Sequence, residues 1–309
     1  MNVRSGLMLL IIFGCLAVLG CASQYLTAGK VYLQQNDYDA AIEQFNKALE
    51  ANPNDAEAHI WLGRTYAQQR KYAAASEELD KALEIDPGKM GTYQKEPQIY
   101  WAIYQNAGIE LNTAGDFRGA HDRFWRALEI DSTRASTKEA LGLVGVNEAV
   151  ELIAVEDYEK ALEELDSAIE IYPHMSRAYF LKGVCLMNIE RREDAKAAFQ
   201  AAIGLDPEDR DSYFNLGLLH ILMEEHEKAI PLFQKVIELD ETDAEGWSYL
   251  GLAYVNAKEF DTAIQALERA VELDPLRAST YANLGIAYRE MGMQEKAFEA
   301  FKRADELSQ

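Results

Sequence analysis

The fold is decided by the stretch at residues 244–277, which reads AEGWSYLGLAYVNAKEFDTAIQALERAVELDPLR. Its apolar residues recur every three or four positions, which is the spacing of an amphipathic helix. A polar turn separates two such patterns, and Pro275 follows the second, where its fixed φ and missing N–H help to end a helix. The stretch therefore predicts a hairpin of two helices.

The same pattern returns along the chain at a constant interval. A glycine marks each return near the end of the chain, at Gly183, Gly217, Gly251 and Gly285, which are evenly spaced. Small residues at this position let the two helices of a hairpin cross closely. Eight segments fit the frame, at residues 22–55, 56–89, 101–134, 142–175, 176–209, 210–243, 244–277 and 278–309.

The pattern of these segments is an aromatic residue, Leu-Gly, Tyr, Ala, Phe, Ala and Pro at constant offsets. Some copies depart from it, with Ala149 in place of the glycine and Ser132 and Glu241 in place of the proline. The arrangement resembles the tetratricopeptide repeat (TPR), and the resemblance covers about residues 22–309. It implies an all-α fold, a right-handed α-solenoid of about eight TPR helical hairpins. Function in such arrays lies on the stacked faces, and the concave face is lined by the first helix of each repeat. Phe199, Phe233 and Phe301 are expected to be buried between hairpins.

Two insertions break the period. Eleven extra residues stand around 90–100, and we expect a loop there until Pro97 starts the next helix. Seven extra residues stand around 135–141, and because seven residues make about two helical turns, we expect one long helix over roughly 134–154. The chain is therefore predicted to divide into residues 22–134, with three repeats, and residues 135–309, with five.

The N-terminus predicts a bacterial lipoprotein signal over residues 1–20. Arg4 precedes an apolar segment at 7–19, which is shorter than the about 20 residues that span a bilayer. The sequence VLGC at 18–21 resembles a lipobox, which implies that Cys21 is acylated, palmitate included, and becomes the mature N-terminus. No Asp follows Cys21, which by the same resemblance implies an outer-membrane lipoprotein facing the periplasm of a Gram-negative bacterium. An ordinary cleaved signal and an uncleaved anchor remain alternatives.

The composition argues against several classes of function. Thirty Lys and Arg stand against 52 Asp and Glu, and this net charge of −22 argues against nucleic acid, because phosphate binding needs clustered cations. The chain has no Gly-rich phosphate loop, Cys-x-x-Cys or His-Glu-x-x-His. We therefore predict no enzyme activity, no cofactor and no metal site. His220 and His226 fall in different helices of a hairpin, and Cys185 is interpreted as a small buried hydrophobe.

An apolar stripe on the first helices of repeats four to six is the candidate partner-binding groove. Its residues are Asn147, Val150, Phe180, Val184, Phe214, Asn215, Leu218 and Ile221. Exposed apolar stripes mark binding sites, and Phe180 and Phe214 are expected to serve as aromatic anchors. The amides of Asn147 and Asn215 can donate to and accept from a peptide backbone. Burial of the stripe inside the array is the alternative.

Together these patterns predict a non-catalytic scaffold that binds other proteins or peptides. The chain also resembles small TPR outer-membrane lipoproteins such as the pilotins of type IV pilus assembly. The resemblance implies a lipid-anchored adaptor that recruits or positions partners in an envelope assembly. The alternative is an accessory subunit of a peptidoglycan, polysaccharide-export or pilus machine. The sequence predicts neither the identity of the partner nor the oligomeric state.

Overall fold

A computed structural model describes residues 22–308. The predicted signal at 1–20 and the predicted lipid anchor at Cys21 lie outside the described residues. Within residues 22–308 the chain forms seventeen α-helices and one short 3-10 turn, and it forms no strand. The predicted all-α class is therefore confirmed.

Sixteen of these helices pair into eight hairpins. The first helices of the hairpins are α1 (22–34), α3 (Ala56–Gln68), α6 (Pro97–Thr113), α8 (Ala135–Ala154), α10 (Ser176–Asn188), α12 (Arg210–Leu222), α14 (Ala244–Asn256) and α16 (Ala278–Glu290). The second helices are α2 (Tyr38–Ala51), α4 (Tyr72–Ile85), α7 (Phe117–Ile130), α9 (Tyr158–Ile171), α11 (Arg192–Leu205), α13 (His226–Leu239), α15 (Phe260–Leu273) and α17 (Gln294–Ser308). The long helix predicted over 134–154 is confirmed as α8.

The turn inside every hairpin uses one backbone motif. One residue in each turn takes a left-handed conformation, with φ between 59° and 80°; these residues are Asn36, Arg70, Gly115, Glu156, Glu190, Glu224, Lys258 and Gly292. The next N–H then donates to the carbonyl five residues back, as Glu259 does to Tyr254 at 2.8 Å. This bond satisfies a carbonyl that the end of the first helix leaves free. Six of the eight residues are not glycine, so the packing of the two helices imposes the turn.

Close packing of the two helices explains the recurring glycine. A Cβ atom at Gly183 would lie 2.6 Å from the ring of Phe199. Phe199 and Phe233 are completely buried, as predicted. The predicted burial of Phe301 is wrong, because this residue is 36 % exposed. Among the described helices only α16 packs extensively against α17, so Phe301 is covered from one side.

The first insertion forms a helix rather than a loop. A 3-10 turn at Pro87–Lys89 leads into α5 (Met90–Lys95), and Pro97 then begins α6, as predicted. Tyr93 of α5 is fully buried and stacks on Tyr100 with the ring centroids 4.2 Å apart. The predicted loop is wrong because burial of this ring offsets the entropy lost when the insertion becomes ordered.

The described chain forms two compact units, one up to Asn147 and one from Glu148 onwards. The division falls inside α8, and the domain boundary predicted between residues 134 and 135 stays a prediction. The core of the first unit includes Tyr93, Tyr100 and Tyr104, and a core cluster of the second unit is built around Phe233. No helix within residues 22–308 is long and apolar enough to cross a membrane.

Candidate functional site

The first helices of the second unit contact one another in order, α10 with α12, α12 with α14, and α14 with α16. Since the repeat period is constant here, residues at equivalent turns form rows across these helices. We define the first-helix face as six residues of these rows, on α10, α12 and α14, that keep exposed surface. These are Val184, Asn215, Leu218, Leu222, Tyr249 and Leu252.

Two of the predicted groove residues lie beneath this face. Phe180 is 9 % exposed and Phe214 is 8 % exposed. The Phe180 ring lies 6.1 Å from that of Phe199, and the Phe214 ring packs edge-on against Tyr249 at 5.3 Å. The expectation that Phe180 and Phe214 are exposed anchors is therefore wrong. Both residues are buried, which is the alternative that the sequence left open. At this repeat position a ring packs onto the second helix of its own hairpin.

The other apolar residues of the predicted groove keep exposed surface. Val184, Leu218 and Ile221 are half-buried, and Leu218 and Ile221 pack against the core cluster of the second unit. Val150 is exposed, and Leu222, beside Ile221 in the chain, is 55 % exposed. The second unit therefore presents aliphatic side chains to solvent on this face, and their role in binding a partner stays a prediction.

The amides of the predicted groove make specific hydrogen bonds. Asn215 Nδ2 donates to the carbonyl of Asp211 at 2.9 Å, one turn earlier in α12. This bond uses one donor and orients the amide, and the Asn215 Oδ1 oxygen can still accept from a ligand. Asn147 belongs to the first unit, where its Nδ2 donates to Oδ1 of Asn112 at 3.3 Å.

Two arginines lie over the two buried rings. Arg177 lies 5.2 Å from the centroid of Phe180, and Arg210 lies 4.5 Å from that of Phe214. Arg210 also forms an ion pair with Asp243, the N-cap of α14. Burial lowers the pKa of Arg210, but its bonds to acidic neighbours outweigh burial and raise the pKa above its ordinary value. The charge of Arg210 is therefore compensated within the unit.

Sequence reasoning missed Tyr249 and Leu252. They occupy, in repeat seven, the positions that Asn215 and Leu218 occupy in repeat six. The ring of Tyr249 stacks on Phe233 at 5.7 Å, and both Tyr249 and Leu252 are half-buried. The signal that finds them is the repeat frame itself, which continues from repeat six into repeat seven.

The described residues offer no cluster of metal-binding type. Among residues 22–308 no group of three or more His, Cys, Asp or Glu side chains is placed to hold a metal ion. His220 Nδ1 lies 2.7 Å from Glu225 Oε2, across the turn of its hairpin. Cys185 is fully buried, and burial raises the pKa of its thiol to about 11. This confirms the interpretation of Cys185 as a buried hydrophobe, since thiols are reactive as thiolates.

Four family profiles described as tetratricopeptide repeat match this chain. They match residues 26–89, 152–219, 211–243 and 242–308. The matches lie in both compact units, and none of the four covers residues 90–151, which include the third hairpin and most of α8. No protein of curated function matches the sequence.

Several solved structures share the fold. One is the crystal structure of YrrB, described as "a TPR protein with an unusual peptide-binding site". It is 28 % identical, with a TM-score of 0.51, and the match covers 60 % of this chain and 91 % of YrrB. A crystal structure of MamA is 26 % identical, with a TM-score of 0.50 and coverage of 52 % and 94 %. A MamA fragment from Desulfovibrio magneticus RS-1 is 22 % identical, with a TM-score of 0.52 and coverage of 54 % and 94 %, and shows the fold alone.

Proposed function

The chain belongs to the tetratricopeptide-repeat family, and from this premise we propose that it is a non-catalytic scaffold that binds another protein on its first-helix face. Proteins of this fold generally act as interaction scaffolds, and function in stacked helical repeats lies on the faces that the stacking creates. YrrB is described as having a peptide-binding site, which supports a peptide or protein as the ligand here.

The observation that carries the proposal is the exposure of aliphatic side chains on the first-helix face. Leu222 is 55 % exposed, and Val184, Leu218 and Leu252 are half-buried around the same rows. The chain has 52 acidic residues and a net charge of −22, so neighbouring exposed aliphatic side chains differ from the predominantly acidic character of the protein. Apolar surface that is contiguous and exposed marks an interaction site.

The face fits a helix or an extended segment of a partner. Rows of aliphatic side chains would bury the apolar side of such a segment, and the Oδ1 oxygen of Asn215 would accept from its backbone or side chains. The buried rings of Phe180 and Phe214 support the face from below. They hold it in shape and do not themselves contact the partner.

The finer part of the proposal is a lipid anchor on Cys21 that holds the scaffold at the periplasmic side of the outer membrane. A protein of net charge −22 gains nothing from electrostatic docking on anionic lipid. Acyl chains bind the membrane through the hydrophobic effect, and each buried methylene contributes about 0.8 kcal/mol to the free energy of binding. The proposed role is therefore an adaptor in an envelope assembly, or an accessory subunit of one.

The test starts with a photoreactive amino acid in place of Leu222 in living cells, which identifies the partner by mass spectrometry. The purified partner is then titrated against wild type and Leu222→Glu. We expect the Kd to rise about tenfold or more, because a charge in an apolar contact is costly to bury. The thermal midpoint should change little, since Leu222 is largely solvated already.

The matched control is Gln200→Glu, an exposed position on the second helix α11. This variant should bind the partner like wild type. The proposal fails if Leu222→Glu binds as tightly as Gln200→Glu, or if photoreactive residues at both positions capture the same proteins.

A further inference from the structure

Trp125 on α7 occupies a repeat position at which the other repeats have a polar residue. It is the 25th residue of its repeat, and it is 45 % exposed. The residues at this position in the other seven repeats are Asn46, Asp80, Asp166, Gln200, Gln234, Glu268 and Lys302. All seven are polar or charged, and all of them except Asp80 are exposed. The proposed function makes no use of Trp125.

Trp125 lines a groove that the first insertion helps to build. The groove has a volume of about 690 Å³, and its other apolar walls are Leu83 of α4, Pro87 and Met90. The buried ring of Tyr93 anchors α5 of the insertion in the core. The groove is therefore preformed by ordered elements of the first unit, which lowers the entropic cost of binding.

The floor of the groove is a cluster of internally paired charges. Asp80 accepts a hydrogen bond from the Tyr104 hydroxyl at 2.8 Å and lies 2.5 Å from Arg123. Burial raises the pKa of Tyr104 far above its ordinary value, so this hydroxyl stays protonated and donates. Arg126 lies 3.4 Å from Asp80 and 2.5 Å from Glu129. Both arginines are held by acids of the same unit, so the groove does not offer them to an anionic ligand.

The rim of the groove is acidic. Glu84 of α4 and Asp122 of α7 line the groove and are exposed. Asp122, Trp125 and Glu129 share one face of α7, since three and four residues separate them. The Trp125 indole N–H donates to His121 at 2.9 Å, which orients the ring. The face of an indole beside carboxylates attracts a cation through both the ring quadrupole and the opposite charge.

We propose that this groove is a second docking surface and that its occupant is a basic amphipathic segment of another protein. An apolar side chain of the segment packs against Leu83, Pro87 and Met90. A Lys or Arg of the segment stacks on Trp125 near Asp122. The four carboxylates that line the groove outnumber its two arginines, so a basic segment complements the charge and an acidic one is repelled. Tryptophan is a residue type that commonly dominates binding energy.

Three fluorescein-labelled peptides of equal length probe the groove on the full chain. The first carries Lys and Leu at helical spacing, the second has Glu in place of Lys, and the third has Ser in place of Leu. Only the first should bind tightly by fluorescence anisotropy at physiological salt. Trp125→Ala should weaken its binding about tenfold or more, whereas Gln200→Ala, at the same repeat position elsewhere, should not.

A charge reversal separates the groove from non-specific attraction to an acidic protein. Glu84→Lys combined with Asp122→Lys should lose the Lys peptide and gain the Glu peptide. Glu163→Lys combined with Glu227→Lys changes the net charge equally at exposed acids outside the groove, and it should leave binding nearly unchanged. Circular dichroism checks that each variant is folded.

Three outcomes overturn the proposal. If the two double charge reversals weaken binding of the Lys peptide equally, the peptide is attracted by the net negative charge of the protein and not by the groove. Binding that survives Trp125→Ala would place the peptide elsewhere. A dimer of the wild-type chain that dissociates on Trp125→Ala, seen by analytical ultracentrifugation, would show that a second copy fills the groove.

Discussion

His59 and Glu78 join the two helices of the second hairpin through a buried hydrogen bond. His59 Nδ1 lies 2.6 Å from Glu78 Oε2, and His59 Nε2 lies 3.2 Å from the carbonyl of Pro53. Burial raises the pKa of Glu78, but hydrogen bonds from His59 and Lys81 outweigh burial and hold the pKa below its ordinary value. The folded first unit therefore favours the Glu78 carboxylate over the carboxylic acid.

The hydrogen bond predicts a loss of local stability in acid. Because the folded-state pKa of Glu78 is depressed, its contribution is present above the unfolded pKa near 4.5 and is lost as the pH falls through the lower folded value. At neutral pH, Glu78→Gln should cost about 1–3 kcal/mol, since it weakens a buried bond to His59. Below a pH of about 4.5 the difference between wild type and variant should shrink.

Hydrogen exchange in α3 and α4 measures this difference at neutral and acidic pH. Glu77→Gln is the control, because Glu77 is the exposed neighbour of Glu78 in the same helix. A difference between wild type and Glu78→Gln that stays constant with pH would contradict the prediction.

At the level of the helices, the hairpins α10–α11 and α12–α13 are each stabilised by a fully buried phenylalanine ring between their two helices, Phe199 and Phe233. Phe199 is fully buried under Gly183, and Phe180 packs against it. Phe199→Ala should therefore cost about 3–5 kcal/mol, the range for deleting a buried aromatic ring. Since repeats are stabilised mainly by their neighbours, hydrogen-exchange protection should fall most in α10 to α12 and least in α16 and α17.

The matched variant is Phe301→Ala. Phe301 occupies the same repeat position but is already partly solvated, so its removal should cost clearly less. Equal costs for Phe199→Ala and Phe301→Ala, or an even loss of protection over the whole second unit, would refute this linear coupling between hairpins.

At the scale of the whole molecule, the proposed anchor makes location depend on one cysteine. Cys21→Ala should release the protein from membranes or leave an unprocessed precursor, because acylation needs the thiol and the acyl chains supply the membrane affinity. Cell fractionation and intact-mass measurement check both results. The control is Cys185→Ala, since Cys185 is buried in the second unit and should not affect fractionation. The anchor is refuted if Cys21→Ala still fractionates with the outer membrane and neither protein carries an acyl mass.

The positions of the hairpins and most of their ends follow from local sequence patterns. The constant repeat period depends on local requirements: a small residue where two helices cross, and a proline after the second helix. The small residue is present in all eight copies and the proline in five of them, so the frame located the hairpins without knowledge of what surrounds them. The start of α6 at Pro97 and the uninterrupted helix α8 followed from the same local rules.

Which apolar residues are covered depends on the packing of helices against one another, which local patterns do not contain. The repeat position states on which side of a helix a residue lies, but the neighbouring helices decide how much of it water reaches. Phe180 and Phe214 were therefore expected on the surface and lie in the core, whereas Phe301 was expected in the core and is exposed. Helix α5 is ordered, and the groove at Trp125 is formed, by contacts with helices that are distant in sequence. No local sequence pattern contains such contacts.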